Sequence, residues 1–194
     1  TNIIGRLAFA WHTAELSFYQ DPTVGDMLRQ AFMAVADHIT PEGQFIWPND
    51  KDMYWAGSHE HAWRLEPLLM GFIWADGVFS DDERDHVAAA LRRAADWLIA
   101  NPCIQHNNRG IVWCAIVMLC GLYYDDSAMQ DVAASEIEAI LRGVILEDGE
   151  IGEHTKQYAG GGPCTNYTYT GLGYVYLYRL FSGDDGLDTL LMQG

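Results

Sequence analysis

Positive charge is what this chain has least of. Lys and Arg number 11 against 27 Asp and Glu, a formal net charge of -16. A field of that sign repels free nucleic acid and an anionic membrane surface, so neither is expected as a partner. Long apolar runs are lacking too. None reaches the roughly 18 residues that span a bilayer; Ile111–Leu122 is too short and is flanked by turns, so no membrane insertion is expected. The chain opens at Thr1 without a methionine or a basic-then-apolar leader, which leaves a removed signal peptide undecided. It stops after Gly183-Asp184-Asp185-Gly186 and an apolar tail with no closing signal, and the expectation is a fragment of a longer protein.

Cysteine is sparse and wrongly spaced for a familiar site. Cys103, Cys114, Cys120 and Cys164 contain no Cys-x-x-Cys pair, which argues against a zinc ribbon or a thioredoxin-like centre. Cys114 and Cys120 fall in an apolar helix, where a free buried thiol is expected, and the compartment stays undecided. No Gly-Lys-Ser/Thr follows Gly160-Gly161-Gly162, so that run reads as a flexible turn and not a phosphate cradle. His59-x-His61 with His154 does not set two rings on one helix face, and no metal or other cofactor is expected.

What is present is a globular composition, 49% hydrophobic and 20% charged over 194 residues, enough for one domain with a real core. Apolar residues recur at helical spacing over Asn2–Phe18 and again over Val24–Ile39. A long aromatic loop, 44–58, leads to a third helix, Glu60–Gly77. Ser80 with Glu83 three residues on is a capping box; it opens an amphipathic fourth helix to about Ala100, closed by Asn101-Pro102. A fifth helix, almost wholly apolar, runs to about Tyr124. A sixth covers Ala128–Leu146, and a seventh Asn166–Phe181, with Tyr169, Leu172, Tyr176 and Leu180 on its apolar stripe. The third, fifth and seventh helices begin near 60, 110 and 167, each behind a long polar loop. Such a rhythm describes helical hairpins with an inner row buried all round and an outer row facing water. The fold class is all-α, an array of hairpins forming an incomplete (α/α) toroid over 1–194. The loops are long, dissimilar and rich in His, Asn, Tyr and Gly, unlike those of a solenoid, and loops of that kind carry function.

Those loops supply His59, His61 and Arg64; His106, Asn107, Asn108 and Arg109; and Glu150, Glu153, His154, Lys156, Tyr158, Asn166, Tyr167 and Tyr169. The stretch Gln105–Gly110 runs straight into the fifth helix, where unpaired N–H groups and the helix dipole favour an anion.

Together, His-Ala-Trp-Arg-Leu at 61–65, Asn107-Asn108-Arg109-Gly110, and Asp148-Gly149-Glu150 through Tyr167-Thr168-Tyr169 resemble the toroid domain of heparinase II/III-like and alginate polysaccharide lyases. The resemblance implies β-elimination on a uronic-acid-containing glycan, with an acidic polysaccharide or oligosaccharide as partner. It also implies a periplasmic or secreted location and a β-sheet domain elsewhere in the protein. Asn108 matches the family's carboxylate-neutralising asparagine, and Tyr167, Tyr169 and Tyr158 all lie where its proton-transferring tyrosine is found. The chain departs from the pattern at Arg109, where the family often has histidine. A guanidinium is always charged and cannot act as a base. Either a tyrosine makes both proton transfers, or His106 or His154 replaces the missing imidazole.

The chemistry explains the residue types. Removing a proton beside a carboxylate drives charge onto that carboxylate, so donors must be aimed at its oxygens. Asn108 and Arg109 suit that task, the arginine as a two-pronged clamp. A tyrosine base, with a reference pKa near about 10, needs a neighbouring cation to lower it; Arg109, Lys156 and Arg64 are candidates. Asn107, His59, His61, Arg64, Trp55, Glu153, His154 and Lys156 are expected to line the substrate. Two alternatives stay open. A glycoside hydrolase would need paired carboxylates from Asp148, Glu150, Glu153 and Glu60, and a non-catalytic carbohydrate-binding helical domain would need none.

Overall fold

Seven α-helices carry the part of the chain that this computed structural model describes, residues 2–46, 57–103, 107–144 and 165–187, the side chains of 165–168 excepted. They are α1 (Asn2–His12), α2 (Pro22–Asp37), α3 (Ser58–Trp74), α4 (Asp81–Ala100), α5 (Asn108–Tyr123), α6 (Ser127–Val144) and α7 (Thr165–Ser182). Among the described residues the β-pairing is limited to the isolated bridge Ile39–Phe45, and the protein is all-α. It divides into two compact units, residues 1–56 with 63–100, and residues 57–62 with 101–194, so α3 begins in the second and continues in the first.

In the first unit α2 starts where the Asp21 carboxylate accepts the N–H groups of Thr23 (2.8 Å) and Val24 (3.0 Å), with Pro22 leading the helix. It buries Val24, Leu28, Phe32 and Ala36. Phe32 meets the rings of Phe72 and Phe79 edge-on, at 6.1 and 5.7 Å between centroids, the offset geometry aromatic quadrupoles favour. Helices α1 and α3 cross at bare backbone: a Cβ on Gly5 would stand 2.8 Å from the Pro67 carbonyl oxygen. The capping box at α4 forms as read from sequence, with Glu83 accepting from the Ser80 N–H (3.0 Å) and hydroxyl (2.9 Å). That helix turns Val87, Ala90, Leu91, Ala94, Ala95 and Leu98 inward.

The first helix is shorter than its spacing predicts, ending at His12 and not Phe18. The Thr13 hydroxyl and N–H both turn back to the Phe9 carbonyl, at 2.7 and 3.0 Å. Gln20, at φ 48, then returns its N–H to the Trp11 carbonyl. Leu16, Phe18 and Tyr19 are left exposed.

In the second unit α5 is the centre. Every residue from Gly110 to Gly121 is buried, Trp113 completely. The helix is apolar all round because it has neighbours all round: α6 and α7 both pack on it. Asp126 caps α6 by accepting the Met129 N–H at 3.2 Å, and α6 presents Met129, Ala133, Ile137, Ile140, Leu141 and Val144 to the core. Helix α7 is one-sided. Gly171, Val175 and Tyr178 are buried, whereas Tyr169, Leu172, Tyr176 and Leu180 are exposed, the reverse of the face expected from sequence.

Candidate functional site

The site grows from the first turn of α5. Asn107 sits just outside the helix in extended backbone (φ -161, ψ -174), and its side-chain oxygen accepts the Arg109 N–H at 2.9 Å. That bond satisfies one of the orphan donors every helix start leaves. Asn108 follows as the first helical residue and is 4% exposed, yet no side chain among the described residues hydrogen-bonds to its amide.

Arg109 is half-buried, and among the described residues no carboxylate comes within ion-pair distance of its guanidinium. Five other arginines of the described residues are paired, Arg29 with Asp26 and Glu83, Arg84 with Asp76, Arg92 with Asp96, Arg142 with Glu138 and Arg179 with Asp185, whereas Arg6 and Arg93, like Arg109, form no ion pair among the described residues.

The start of α3, Ser58–Ala62, belongs to the same compact unit as this turn. His59 and His61 are 8% and 6% exposed, rare burial for imidazoles. Burial, and after it the charge of Arg109, lower the His59 pKa from its ordinary value. Both effects disfavour imidazolium, so at neutral pH His59 is an uncharged imidazole close enough to feel the guanidinium. The Glu60 carboxylate lies 3.8 Å from His59 Nε2, beyond hydrogen-bonding reach.

Of the sequence-predicted residues, His59, His61, Asn107, Asn108 and Arg109 therefore belong to one unit, around the beginnings of α3 and α5. Arg64 is half-buried further along α3 and belongs to the other unit. Tyr169 stands on the first turns of α7 and is 72% exposed. Tyr167 lies on the same helix with its side chain outside the description. Trp55, His106, Asp148, Glu150, Glu153, His154, Lys156 and Tyr158 all lie outside the described residues. Of the carboxylates a hydrolase would use, Glu60 is within them.

The chain matches no protein-family model, no curated protein and no solved structure.

What the arrangement can do chemically is read from its donors. An amide and a guanidinium on the first two residues of a helix are donor types that a carboxylate accepts. Among the described residues no three of His, Cys, Asp and Glu gather as a metal site, and no helix is long and apolar enough to cross a membrane. Among the described residues Cys103, Cys114 and Cys120 are buried and in no disulfide, and burial pushes the Cys114 thiol far above a reactive range. Burial likewise raises the Tyr178 phenol to about 12, a core group and not a base. Sequence reasoning passed over Gly57. A Cβ there would come 2.9 Å from His59 Nδ1 and 3.0 Å from Cε1, so the glycine makes room for that ring. The available signal was a glycine immediately before a helix start that carries two histidines.

Proposed function

We propose that this protein is a polysaccharide lyase that cleaves a uronic-acid-containing glycan by β-elimination, on helical hairpins belonging to an incomplete (α/α) toroid. The observation that carries the reading is the Asn108–Arg109 pair: a buried amide and a guanidinium, neither with a described partner, at the start of the most deeply buried helix. Both suit the one group that β-elimination must stabilise, a carboxylate gathering charge as the neighbouring C–H bond breaks. The envelopment of α5 by its neighbours supports an inner helix of a hairpin array.

In this mechanism Asn108 and Arg109 hold the uronate carboxylate. A basic side chain at the same site removes the proton from the carbon next to it. The electron pair forms a C=C bond, the glycosidic C–O bond breaks, and the departing oxygen takes a proton. The net charge of -16 makes a local cation necessary to admit an anionic chain at all, and Arg109 supplies it.

The test is spectroscopic. Incubated with a panel of uronate polymers, the protein is expected to generate an unsaturated product absorbing in the near ultraviolet, and Arg109→Gln is expected to slow its formation by about 10²–10³-fold. Release of saturated reducing ends with no such absorbance would make the protein a hydrolase; binding without turnover would make it a carbohydrate-binding domain.

A further inference from the structure

Helix α7 packs on α5 and buries Gly171, Val175 and Tyr178, while Tyr169, Leu172, Tyr176 and Leu180 are exposed. With 3.6 residues to a turn, these four and Gly173 fall within about a third of the helix circumference. A Cβ placed on Gly173 would meet no atom within 4 Å. The exposed stripe is therefore a row of large side chains with a notch between its two tyrosines. We infer that it is a self-association surface, on which a second copy of this chain lays its own α7 antiparallel about a two-fold axis. The inference does not rest on the lyase reading.

The spacing suits a second copy. Tyr169, Gly173, Tyr176 and Leu180 follow one another at intervals of four, three and four, the alternation of a coiled-coil seam. A two-fold contact also requires that if one residue meets another across the interface, the reverse contact occurs too. The four positions are symmetric about the midpoint between 174 and 175. An antiparallel pair centred there sets Tyr176 of each copy over the Gly173 notch of the other, and Tyr169 over Leu180. Large side chain meets gap twice over, with one sequence supplying both.

Charge points the same way. At a net -16, two copies repel wherever their acidic surfaces meet. Helix α7 contains no Asp or Glu, and its one charged residue, Arg179, is bonded to Asp185 at 3.1 Å. The seam thus brings no carboxylates of α7 together. Just past the end of the helix stand the exposed Asp184 and Asp185. In the antiparallel arrangement they lie by the first turn of the other copy's α7, the positive end of its dipole. Tyrosine suits such a contact, because its ring is covered while its hydroxyl stays hydrated at the edge. Leu172 and Leu180 offer a sugar ring no flat face to stack on, which favours protein over glycan as the occupant.

A seam of one helix is small beside the roughly 800 Å² per partner of standard interfaces. The dimer is accordingly expected to be weak, with a Kd on the order of 10–100 μM, and the chain to be monomeric in dilute solution. Sedimentation equilibrium of the 194-residue chain over a concentration series is expected to show the average mass rising from monomer to dimer. Added salt should strengthen the association by screening the like charges. Gly173→Gln is the decisive variant. Its side chain has open space in the monomer and a better helix propensity than glycine, so Tm in dilute solution is expected to hold or rise. By filling the notch, the same change is expected to weaken the dimer at least about tenfold, a split that a merely structural role would not give. Tyr176→Ala is expected to weaken it as well, with helical circular dichroism unchanged. A chain that stays monomeric at the highest concentration overturns the inference. So does a dimer that neither variant weakens, or uronate-polymer binding that both variants abolish in a chain that remains monomeric. Neither variant alters Asn108 or Arg109, so each of these outcomes is separate from the spectroscopic test of the lyase.

Discussion

The side-chain oxygen of Asn107 accepts the N–H of Arg109 at 2.9 Å, so the first asparagine of the pair builds the helix start while the second is left without a described partner. Two adjacent residues of one type thus have two different jobs. Replacing Asn107 by alanine is expected to lower stability by about 1 kcal/mol, the usual cost of losing an N-cap. Asn107→Asp, which caps equally well, is expected to retain it. Urea unfolding of the three proteins decides; an alanine variant as stable as wild type would mean the cap bond contributes nothing.

Arg109 gives the second prediction. If its guanidinium grips a carboxylate with two parallel hydrogen bonds, lysine cannot replace it, because an ammonium is a point charge and not a fork. Arg109→Gln is expected to lower kcat/KM on a uronate polymer by about 10²–10³-fold, the range seen when one transition-state donor is removed. Arg109→Lys is expected to recover only part. Folding should be untouched, since no ion pair among the described residues depends on it. Full activity in Arg109→Lys would reduce the contact to simple charge attraction.

Much of this was readable before any coordinates, and the misses have physical causes. The capping box at Ser80 and Glu83 and the all-round burial of α5 follow from local spacing and composition, and both are found. The end of α1 is not local. Trp11 gives its indole N–H to the Asp21 carbonyl at 3.2 Å, and its carbonyl accepts from the Gln20 N–H, tying down a turn ten residues on. The inward face of α7 was misjudged for another reason. Tyr169, Leu172, Tyr176 and Leu180 are spaced as a helix stripe, but so are Gly171, Val175 and Tyr178, and when both sides of a helix are apolar the period cannot choose between them. At the site, residue types pointed to Asn108 and Arg109, whereas the nearness of His59 to Arg109 depends on how two separate helices begin.

Gly43 is the clearest single point of strain. It lies at φ +94, in the turn closed by the Thr40–Gln44 hydrogen bond, and a Cβ there would overlap the Arg93 carbonyl of α4. Backbone and packing both demand glycine. Gly43→Ala is expected to lower stability by at least about 2 kcal/mol, since a strained residue alone costs about 1–3. Thermal unfolding would register this as a drop in Tm with helical circular dichroism unchanged at low temperature. An unchanged Tm would mean that the turn can move off α4 at no cost.

The aromatic cluster of the first unit should tolerate no truncation. Phe32 is fully buried between Phe72 and Phe79, and Phe32→Ala would leave a cavity where α2, α3 and the chain before α4 meet. The expected loss is about 3–5 kcal/mol. Tyr176→Ala on the exposed side of α7 is expected to stay within about 0.5 kcal/mol. Paired denaturant curves compare them, and a Tyr176 loss as large as that of Phe32 would show that its face is packed in solution.

Acid sensitivity should trace to His59. Burial and Arg109 hold its folded pKa below the unfolded value of about 6.5. Above about pH 6.5 the group is neutral in both states and contributes no pH dependence. As pH falls below that, the unfolded chain takes up the proton first, so the unfolded state is favoured and stability is lost until the folded value is passed. Arg109→Gln removes the second cause and should narrow the window, while His59→Gln removes the effect altogether. Since the carboxylates also begin to titrate near pH 5, the measurement is the difference between wild type and His59→Gln in urea midpoint across pH 7.5 to 5. Parallel curves for the two proteins would mean that His59 titrates alike folded and unfolded.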